Sequence, residues 1–413
     1  MRSRTAAAAA SSLLLCCLLA ACSDQERSIA VKREQLFTLG YGTSEDQLDL
    51  FQLEGGSSPL KTRIAMREGI FYIANGNAAK VVRFSSFGDV LSMIYNPEKN
   101  PEPQVLKTAA AGQAEGAGRR AQSHPFRAVG EIAVGADQTV YVEDRLPPER
   151  RIQDKESGAL LDYVVLRFGK EGQYLDYLGQ EGIGGTPFPY ILGVYASGSD
   201  ECVVVSMTQA AWLVHRFDAR GAVLSSIRLR RDALPLPEKG SELIPSLDKI
   251  VPDPDGRSLV IKVDYYRDSI DPSTKSRVGV EYASSWAYRM DPRDASYPDR
   301  WQIPAIEKAD KNGPEGQTLR YVRVPELLGA AGSDLFFLAS DDDGKTYFSA
   351  FDRSTKDMTR YSIDIAPDEL LYDSFFLSRE GILCALLGSQ YEARIVWWRF
   401  DKIVRGLRGT ISP

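Results

Sequence analysis

Residues 213–227 read LVHRFDARGAVLSSI: an apolar run, a polar turn on glycine and a second apolar run. Two β-rich runs joined by a short polar turn are typical of a β-hairpin. The same phrase recurs, in places degraded, at 81–94, 164–178, 286–303, 348–363 and 396–406. The last copy stops before its second strand. A phrase repeated at this scale predicts an array of similar structural units.

A second hairpin phrase precedes each copy of the first. Its six occurrences are at 63–75, 130–144, 193–207, 248–263, 326–340 and 374–387. Each unit therefore holds four short strands, named a, b, c and d here in chain order. Six such units predict an all-β fold, a six-bladed β-propeller in which neighbouring blades cover both faces of each sheet.

The sixth unit lacks strand d, whereas an unpartnered apolar strand, REQLFTLGYG (33–42), precedes the first unit. We expect this N-terminal strand to complete the last blade, because pairing the two ends of the chain leaves no open sheet edge. The predicted propeller spans 34–405, and 406–413 form a C-terminal tail.

The N-terminus has the pattern of a signal peptide: Arg2 and Arg4, then an apolar run ending in Leu-Ala-Ala directly before Cys22. This segment resembles the bacterial lipobox. The resemblance implies removal of residues 1–21, diacylglycerol on the Cys22 sulfur and an acyl chain such as palmitate on its amine. Residues 22–33 would then be a polar tether between membrane and propeller. An ordinary signal peptide followed by a chance cysteine remains the alternative.

The paired phrases resemble NHL-type repeats. The matching pieces are IAVGADQTVYVED (132–144), RFDARGAVL (216–224) and FTLGYG (37–42) at the ring closure. Together with the lipobox, the C-terminal RIVWWRFDK (394–402) is also similar to propeller lipoproteins predicted in spirochaetes. The resemblance implies blade architecture and leaves the function open, because such propellers serve many roles.

The long connections all join strand b to c or strand d to the next a. They are 95–127, 145–160, 180–190, 230–246, 264–284 and 304–323. Because antiparallel strands alternate in direction, these connections share one face, called the upper face here, and binding residues tend to lie on such loops. The favoured binding loop is 264–284, with candidate residues Tyr265, Tyr266, Arg267 and Tyr282, since tyrosine rings can stack on a sugar or peptide. A plain extended hairpin is the alternative.

Residues suited to catalysis are scarce. His124 and His215 are the only histidines, and no Ser-His-Asp arrangement or Cys/His cluster is evident. No catalytic residue, metal site or cofactor is therefore predicted. Cys202 and Cys384 fall in strand b of blades three and six, on opposite sides of the ring, so we expect no disulfide between them.

Two recurring side-chain types are interpreted as structural. An arginine occupies the same place in five copies of the hairpin phrase, and its stem can pack between blades while its head pairs with a carboxylate. These residues are Arg83, Arg167, Arg216, Arg289 and Arg399. Trp397 and Trp398 should point to opposite faces of one strand and pack against different blades.

The formal net charge of −6 and the lack of a basic stripe argue against nucleic acid as a partner. The sequence favours a lipid-anchored, extracytoplasmic binding or scaffolding module that meets an envelope protein or a small ligand on its upper face. Ser23, rather than aspartate, follows Cys22, which favours the outer membrane under enterobacterial sorting rules. The alternative is a hydrolase or lyase that acts on sugars or peptides at the upper end of the central funnel through carboxylates alone. A part in envelope assembly or transport is a third reading.

Overall fold

Six four-stranded antiparallel sheets surround a central channel and form a six-bladed β-propeller. The computed structural model describes residues 28–51, 60–108, 120–198, 200–238, 240–310, 319–340 and 345–402. The predicted signal peptide, Cys22 and the C-terminal tail lie outside these residues. Within them, the predicted fold class and the assignment of six units are confirmed.

The first three blades follow the predicted units closely. In blade one, strands a to d are Thr62–Arg67, Ile70–Asn75, Lys80–Phe84 and Val90–Tyr95. In blade two they are Ile132–Val134, Val140–Arg145, Tyr163–Phe168 and Tyr174–Gly179. In blade three they are Tyr190–Ala196, Cys202–Met207, Ala211–Phe217 and Val223–Arg230.

The last three blades include the longest strands. Blade four consists of Ile244–Pro252, Leu259–Ile270, Arg277–Met290 and Asp299–Ile303. Blade five consists of Glu326–Ala331, Asp334–Ser340, Thr346–Asp352 and Met358–Ile363. Blade six supplies only Tyr372–Leu377, Leu383–Gly388 and Ala393–Trp398 from its own unit.

The N-terminal strand Glu34–Tyr41 closes the ring. It pairs antiparallel with strand c of blade six, Ala393–Trp398, and places Phe37 opposite Ile395. A short strand, Gln47–Leu48, continues from it in parallel. The predicted closure, in which both ends of the chain share one blade, is therefore confirmed.

A second N-terminal contact lies within the segment expected to be a polar tether. Strand Ile29–Val31 adds in parallel to the outer edge of Met358–Ile363 in blade five. Arg33 then donates to Glu369, with 2.6 Å between Nη1 and Oε2, and Arg394 of blade six binds the other oxygen of the same buried carboxylate at 2.7 Å. The chain is thus fixed to blade five before it enters blade six.

The extra elements lie in connections that begin at the upper face, as predicted from the loop lengths, although Arg120–Ser123 and Lys107–Thr108 pair in parallel along the outer edge of blade one. All of them occur in connections from b to c or from d to the next a. The extra strands are Lys107–Thr108, Arg120–Ser123, Ile152–Gln153, Leu160–Leu161, Gly182–Ile183, Ile306–Asp310 and Leu319–Arg323. Short 3₁₀ turns cover Pro148–Arg150, Arg231–Ala233 and Pro367–Glu369.

The described part of the chain contains six buried apolar clusters, one at each interface between neighbouring blades. Alternation along strand c of blade six illustrates how they arise. Trp398 is fully buried in the cluster shared with blade five, whereas Trp397 faces Phe71 of blade one at 6.3 Å between ring centroids. The prediction that these tryptophans pack against different blades is confirmed.

The repeated arginines fasten neighbouring blades on the lower face. Arg167 forms an ion pair with Asp176 of its own blade at 2.6 Å and donates to the Ala219 carbonyl of blade three at 2.9 Å. Arg216 similarly reaches the Gly256 carbonyl of blade four at 3.1 Å. For Arg167 and Arg216 the expected structural role is supported, with a refinement: the partners on the next blade are backbone carbonyls, and the carboxylate comes from the same blade. Arg83 also reaches a side chain of the next blade, Gln138 of blade two, at 3.1 Å.

Replacing Phe37 by alanine tests how far stability depends on the closure. Phe37 is 8% exposed and packs against Phe71 and Phe84 of blade one, at 5.9 and 5.5 Å between ring centroids. We expect Phe37→Ala to lower the free energy of unfolding by about 3–5 kcal/mol, because it leaves a cavity at the joint. Denaturant unfolding followed by tryptophan fluorescence measures this.

Phe87→Ala is the matched control, since Phe87 is 87% exposed on a lower turn of blade one. It should change the free energy of unfolding by no more than about 0.5 kcal/mol. Equal effects of the two substitutions would contradict a stabilising role for the closure.

Candidate functional site

A cavity of about 980 Å³ runs along the propeller axis and is lined by strand a of all six blades. Its middle section is mainly apolar, with contributions from Ile64, Ile132, Val194, Leu328 and Phe375. Polar side chains gather at its two ends. Because strand a runs from the upper to the lower face, its first residues form the upper mouth and its last residues the lower mouth.

Among the described residues, the side chain of Arg379 reaches across the lower mouth. The Arg379 guanidinium extends from the a–b turn of blade six and contacts Gly198 in the a–b turn of blade three, on the opposite side of the ring. A Cβ at position 198 would force the guanidinium of Arg379 to move. The glycine therefore permits Arg379 to lie across this end, and the upper mouth becomes the natural entrance for a ligand.

Charged residues stand at the upper mouth, near the start of strand a in five of the six blades. Blade three instead contributes an aliphatic side chain and, further along the strand, a tyrosine. In order around the ring these residues are Arg63, Glu131, Leu192 with Tyr195, Asp248, Glu326 and Asp373. The cavity lining near these four carboxylates also includes the cations Lys249 and Arg323, so the mouth combines charges of both signs with a partly apolar wall.

The carboxylate of Glu131 is neutralised by cations of blade one. Arg63 Nε lies 3.0 Å from Glu131 Oε1, and Lys61 Nζ lies 3.4 Å from the same atom. Lys61 also binds Glu143 at 2.9 Å and the Ile191 carbonyl at 2.8 Å. Since Glu143 belongs to blade two and Ile191 to blade three, one ammonium group joins three blades beneath the mouth.

The carboxylate of Asp248 is neutralised in a similar way within blade four. Lys262 is fully buried, and its Nζ lies 3.0 Å from Asp248 Oδ2 and 2.7 Å from Asp264 Oδ1. Asp248 also accepts a hydrogen bond of 3.0 Å from the Leu327 amide of blade five. These bonds fix the Asp248 carboxylate at the rim and connect blades four and five.

The Tyr195 side chain folds over the inner strand of blade three and faces the channel. A Cβ on Gly193 would lie only 2.6 Å from the Tyr195 hydroxyl, so this position of the ring requires glycine there. Burial raises the pKa of Tyr195, and the nearby carboxylates of Glu131, Glu326 and Asp248 raise it further. The phenol therefore remains a neutral hydrogen-bonding group at neutral pH.

Asp373 and Glu326 differ from the other two acids of the mouth. Asp373 forms no ion pair with any described residue; burial raises the pKa of its carboxyl, and the charge of Arg63 opposes this. Glu326 has a 67% exposed side chain, and its nearest described cation, Lys249, is 3.9 Å away. Both side chains are exposed, Arg63 acts on Asp373 and Lys249 lies within ion-pair distance of Glu326, so these carboxylates are more solvated and more loosely paired than Glu131 and Asp248.

The predicted binding loop is an extended hairpin formed by strands b and c of blade four. Tyr265 is completely buried, and its hydroxyl lies 2.8 Å from that of Tyr288 and donates to the Pro235 carbonyl. Tyr266 and Tyr282 are partly exposed and meet edge to face at 6.2 Å. Arg267 is exposed and paired with Glu281 at 2.5 Å. Of the predicted binding residues, Tyr266 and Tyr282 therefore contact each other, whereas Tyr265 is buried and cannot contact a ligand.

A hydrogen-bonded chain connects this hairpin to the channel. The Tyr282 hydroxyl donates to Ser285 Oγ at 3.0 Å, and Ser285 donates to Asp264. Asp264 binds Lys262, whose other partner is Asp248 at the mouth. The favoured loop is therefore linked to the mouth through one buried lysine.

The histidines and cysteines lie apart from the channel walls. His215 packs against Phe188 at 5.3 Å between rings, and burial lowers the pKa values of His124 and His215 to about 4. Cys202 and Cys384 are buried and free, in strand b of blades three and six as assigned. Among the described residues, no group of three or more His, Cys, Asp or Glu side chains could hold a metal ion.

The residues of the upper mouth were not singled out from the sequence. A signal was nevertheless present, because a charge stands at the same register of several strand-a phrases, as in Arg63, Glu131, Asp248 and Glu326. Tyr195 carries no such signal, since its place in the channel depends on the glycine two residues earlier.

Comparisons with known proteins add little beyond the architecture. No family model and no curated protein matches the sequence. Among solved structures, the chain is similar to an extracellular domain of a hybrid two-component system from B. thetaiotaomicron (10% identity, TM-score 0.35, 89% of this chain and 43% of that one). It thus spans less than half the length of that protein.

Two further similar structures are the Dos1 propeller and a polysaccharide lyase described as an ulvan lyase. The first shares 10% identity at a TM-score of 0.38 and covers 88% of this chain and 95% of its own. The second has the same identity and TM-score and covers 89% and 83%. At such scores the likenesses carry no argument about function, and the propeller assignment rests on the strand pairing.

Within the described ranges, no helix is long and apolar enough to cross a membrane.

Replacing Lys262 by methionine tests the charge arrangement beneath the mouth. The substitution leaves Asp248 and Asp264 without their shared cation, and breaking a buried ion pair costs about 3–5 kcal/mol. We expect a corresponding fall in the free energy of unfolding, measured by denaturant titration.

Lys249→Met is the matched control, because Lys249 is 29% exposed and its ion pair with Glu326 is long, at 3.9 Å. It should cost no more than about 1 kcal/mol. If both variants were equally stable, Lys262 would not have the role described.

Proposed function

We propose that the protein is a membrane-anchored extracytoplasmic lipoprotein whose propeller binds a ligand or an envelope protein at the upper mouth without catalysing a reaction. The observation that carries this proposal is the ring of charged residues at the mouth of a channel crossed at its other end by Arg379. Polar groups fixed on a rigid scaffold, next to an apolar wall, are typical of binding sites.

The pairing of the carboxylates favours binding over catalysis. Hydrolysis of a glycosidic bond needs one carboxyl group that can act as an acid and a second that is free to act as a base or nucleophile. Glu131 and Asp248 are already paired with Arg63, Lys61 and Lys262, all within 3.4 Å. Such groups suit recognition of a polar ligand.

The alternative, a hydrolase or lyase acting on sugars or peptides, would depend on Asp373 and Tyr195. Both line the channel, and burial raises the pKa values of both. A carboxyl group and a phenol in this state could exchange protons with a substrate. Turnover of an oligosaccharide or peptide that is lost in Asp373→Asn would favour this alternative.

The membrane anchor and the kinship with NHL-type propeller lipoproteins, of the kind predicted in spirochaetes, form the finer part of the proposal. Support comes from the lipobox before Cys22 and from the repeated phrases. The first strand of the described residues begins at Ile29, so about seven residues, no more than roughly 25 Å of extended chain, would link lipid and ring. The outer membrane is favoured because Ser23 follows the cysteine.

Photo-crosslinking from the two faces tests where the partner binds. A benzoylphenylalanine at Leu192, which is 39% exposed at the upper mouth, is compared with one at Phe87, which is 87% exposed on a lower turn. After irradiation in native envelopes, intact-mass analysis should show an adduct from position 192 and none from position 87. Adducts from both positions alike, or from position 87 alone, would contradict upper-face binding.

Mass spectrometry of the mature N-terminus tests the anchor. We expect a chain that starts at Cys22 and carries diacylglycerol and an acyl chain, and we expect Cys22→Ala to release the protein from membranes. Ser23→Ala, which keeps the cysteine, should remain membrane-bound. An unmodified Cys22 would overturn the anchor and leave the binding proposal untouched.

A further inference from the structure

We propose that the upper face carries a second binding site, between blades two and three, for a small ligand that has a carboxylate and a flat apolar body. The Arg231 guanidinium binds the carboxylate, and an apolar wall contacts the body. This site shares no lining residue with the central channel, and it goes beyond the function proposed above.

The site is a cavity of about 440 Å³ formed by upper connections of blades two and three. Its volume falls in the range of roughly 300–1,000 Å³ that is typical of small-molecule sites. Leu160 and Tyr190 lie on its apolar wall and are 41% and 43% exposed, so a ligand can reach both. The other apolar residues of this wall are Ala159, Pro189 and Met207.

Two contacts hold the Arg231 side chain at this cavity. Its guanidinium carbon lies 4.4 Å from the ring centroid of Trp212, which is buried, and its Nε donates to the Gln209 carbonyl at 2.7 Å. The Nη1 and Nη2 groups form no hydrogen bond with any described residue. A guanidinium that is fixed in this way presents a pair of parallel donors, which matches the two oxygens of a carboxylate.

The charges around this cavity favour an anion. Arg231 is the only charged residue among the described residues that line it, and Arg231 forms no ion pair with any of them. Nearby acids already have cations of their own: Asp232 Oδ1 accepts from Arg230 Nε at 2.9 Å, and Glu156 lies 3.8 Å from Arg228. Arg231 is exposed, so water solvates it until a ligand replaces that water. A carboxylate would be attracted there, whereas an ammonium group would be repelled.

The Tyr190 ring is also held in place. Lys61 Nζ lies 4.7 Å from its centroid, and Tyr163 meets it edge to face at 5.8 Å. A fixed and partly exposed aromatic ring offers a surface on which a flat apolar group can pack at little entropic cost. A carboxylate with such a body therefore fits the cavity better than an inorganic anion does.

Four probes separate the contribution of the charge from that of the apolar body. Titration calorimetry on the purified protein would compare 3-phenylpropanoate with 2-phenylethanol, phenethylammonium and propanoate. We expect 3-phenylpropanoate to bind at millimolar concentration and the other three to bind at least about tenfold more weakly. Propanoate binding as well as 3-phenylpropanoate would show an exposed arginine that attracts any anion, and would overturn the site. Equal binding of the three phenyl probes, or no binding of 3-phenylpropanoate, would overturn it too.

Arg231→Gln tests the charged side of the site. We expect it to weaken 3-phenylpropanoate binding about tenfold or more, because the carboxylate loses its cation. Arg220→Gln is the matched control: Arg220 is an equally exposed arginine of blade three, but it lies on the lower c–d turn. The control should leave the affinity unchanged, and unaltered affinity in Arg231→Gln would contradict the site.

Leu160→Ala tests the apolar wall. We expect it to weaken 3-phenylpropanoate binding at least about threefold, because it removes apolar surface that the ligand covers. Leu371→Ala is the matched control, since Leu371 is 57% exposed on an upper connection between blades five and six. Equal affinities of the two variants would contradict contact with the wall. These titrations leave the channel mouth unaltered, so their failure would not affect the binding proposed there.

Discussion

The pairing of Glu34–Tyr41 with Ala393–Trp398 is the constraint on which the rest of the structure depends. A ring of sheets needs a complete last blade, because strand c of that blade would otherwise be an unpaired edge and the next blade would lack part of its cover. Here the missing strand comes from the other end of the chain, and its side chains fill the cluster between blades six and one. Once the ring is closed, all six strands a face a common axis, and the channel and its two mouths follow.

The closed ring also determines where function can lie. The faces of the sheets are occupied by the six interface clusters, and the lower turns are joined by arginines such as Arg167 and Arg216. The upper face carries the longer connections, and the upper mouth carries charged side chains that do not follow one repeated residue type. The residues that repeat from blade to blade therefore form the scaffold. The residues that differ between blades are concentrated at the upper mouth.

Much of this fold could be predicted from the sequence. The hairpin phrases indicate which strands pair locally, and their sixfold repetition indicates a propeller. The closing strand could be predicted because the sixth unit visibly lacked a partner. The site could be predicted only to the level of a face. Tyr265, Tyr266 and Arg267 are consecutive in sequence, but strand b of blade four runs on to Ile270, and alternation along it buries Tyr265. Asp373 and Tyr195 line one channel only because the ring is closed, and no local sequence pattern predicts that.

The buried lysines explain why the charges at the mouth are not equivalent. Lys61 and Lys262 each bind two carboxylates, one deeper and one at the rim. Burying a cation is unfavourable unless it is paired, so these lysines bind their rim acids whether or not a ligand is present. Asp373 has no such lysine, although it occupies an equivalent place in the ring. Its side chain is exposed and is influenced by the charge of Arg63, so solvent rather than a buried lysine compensates this carboxylate.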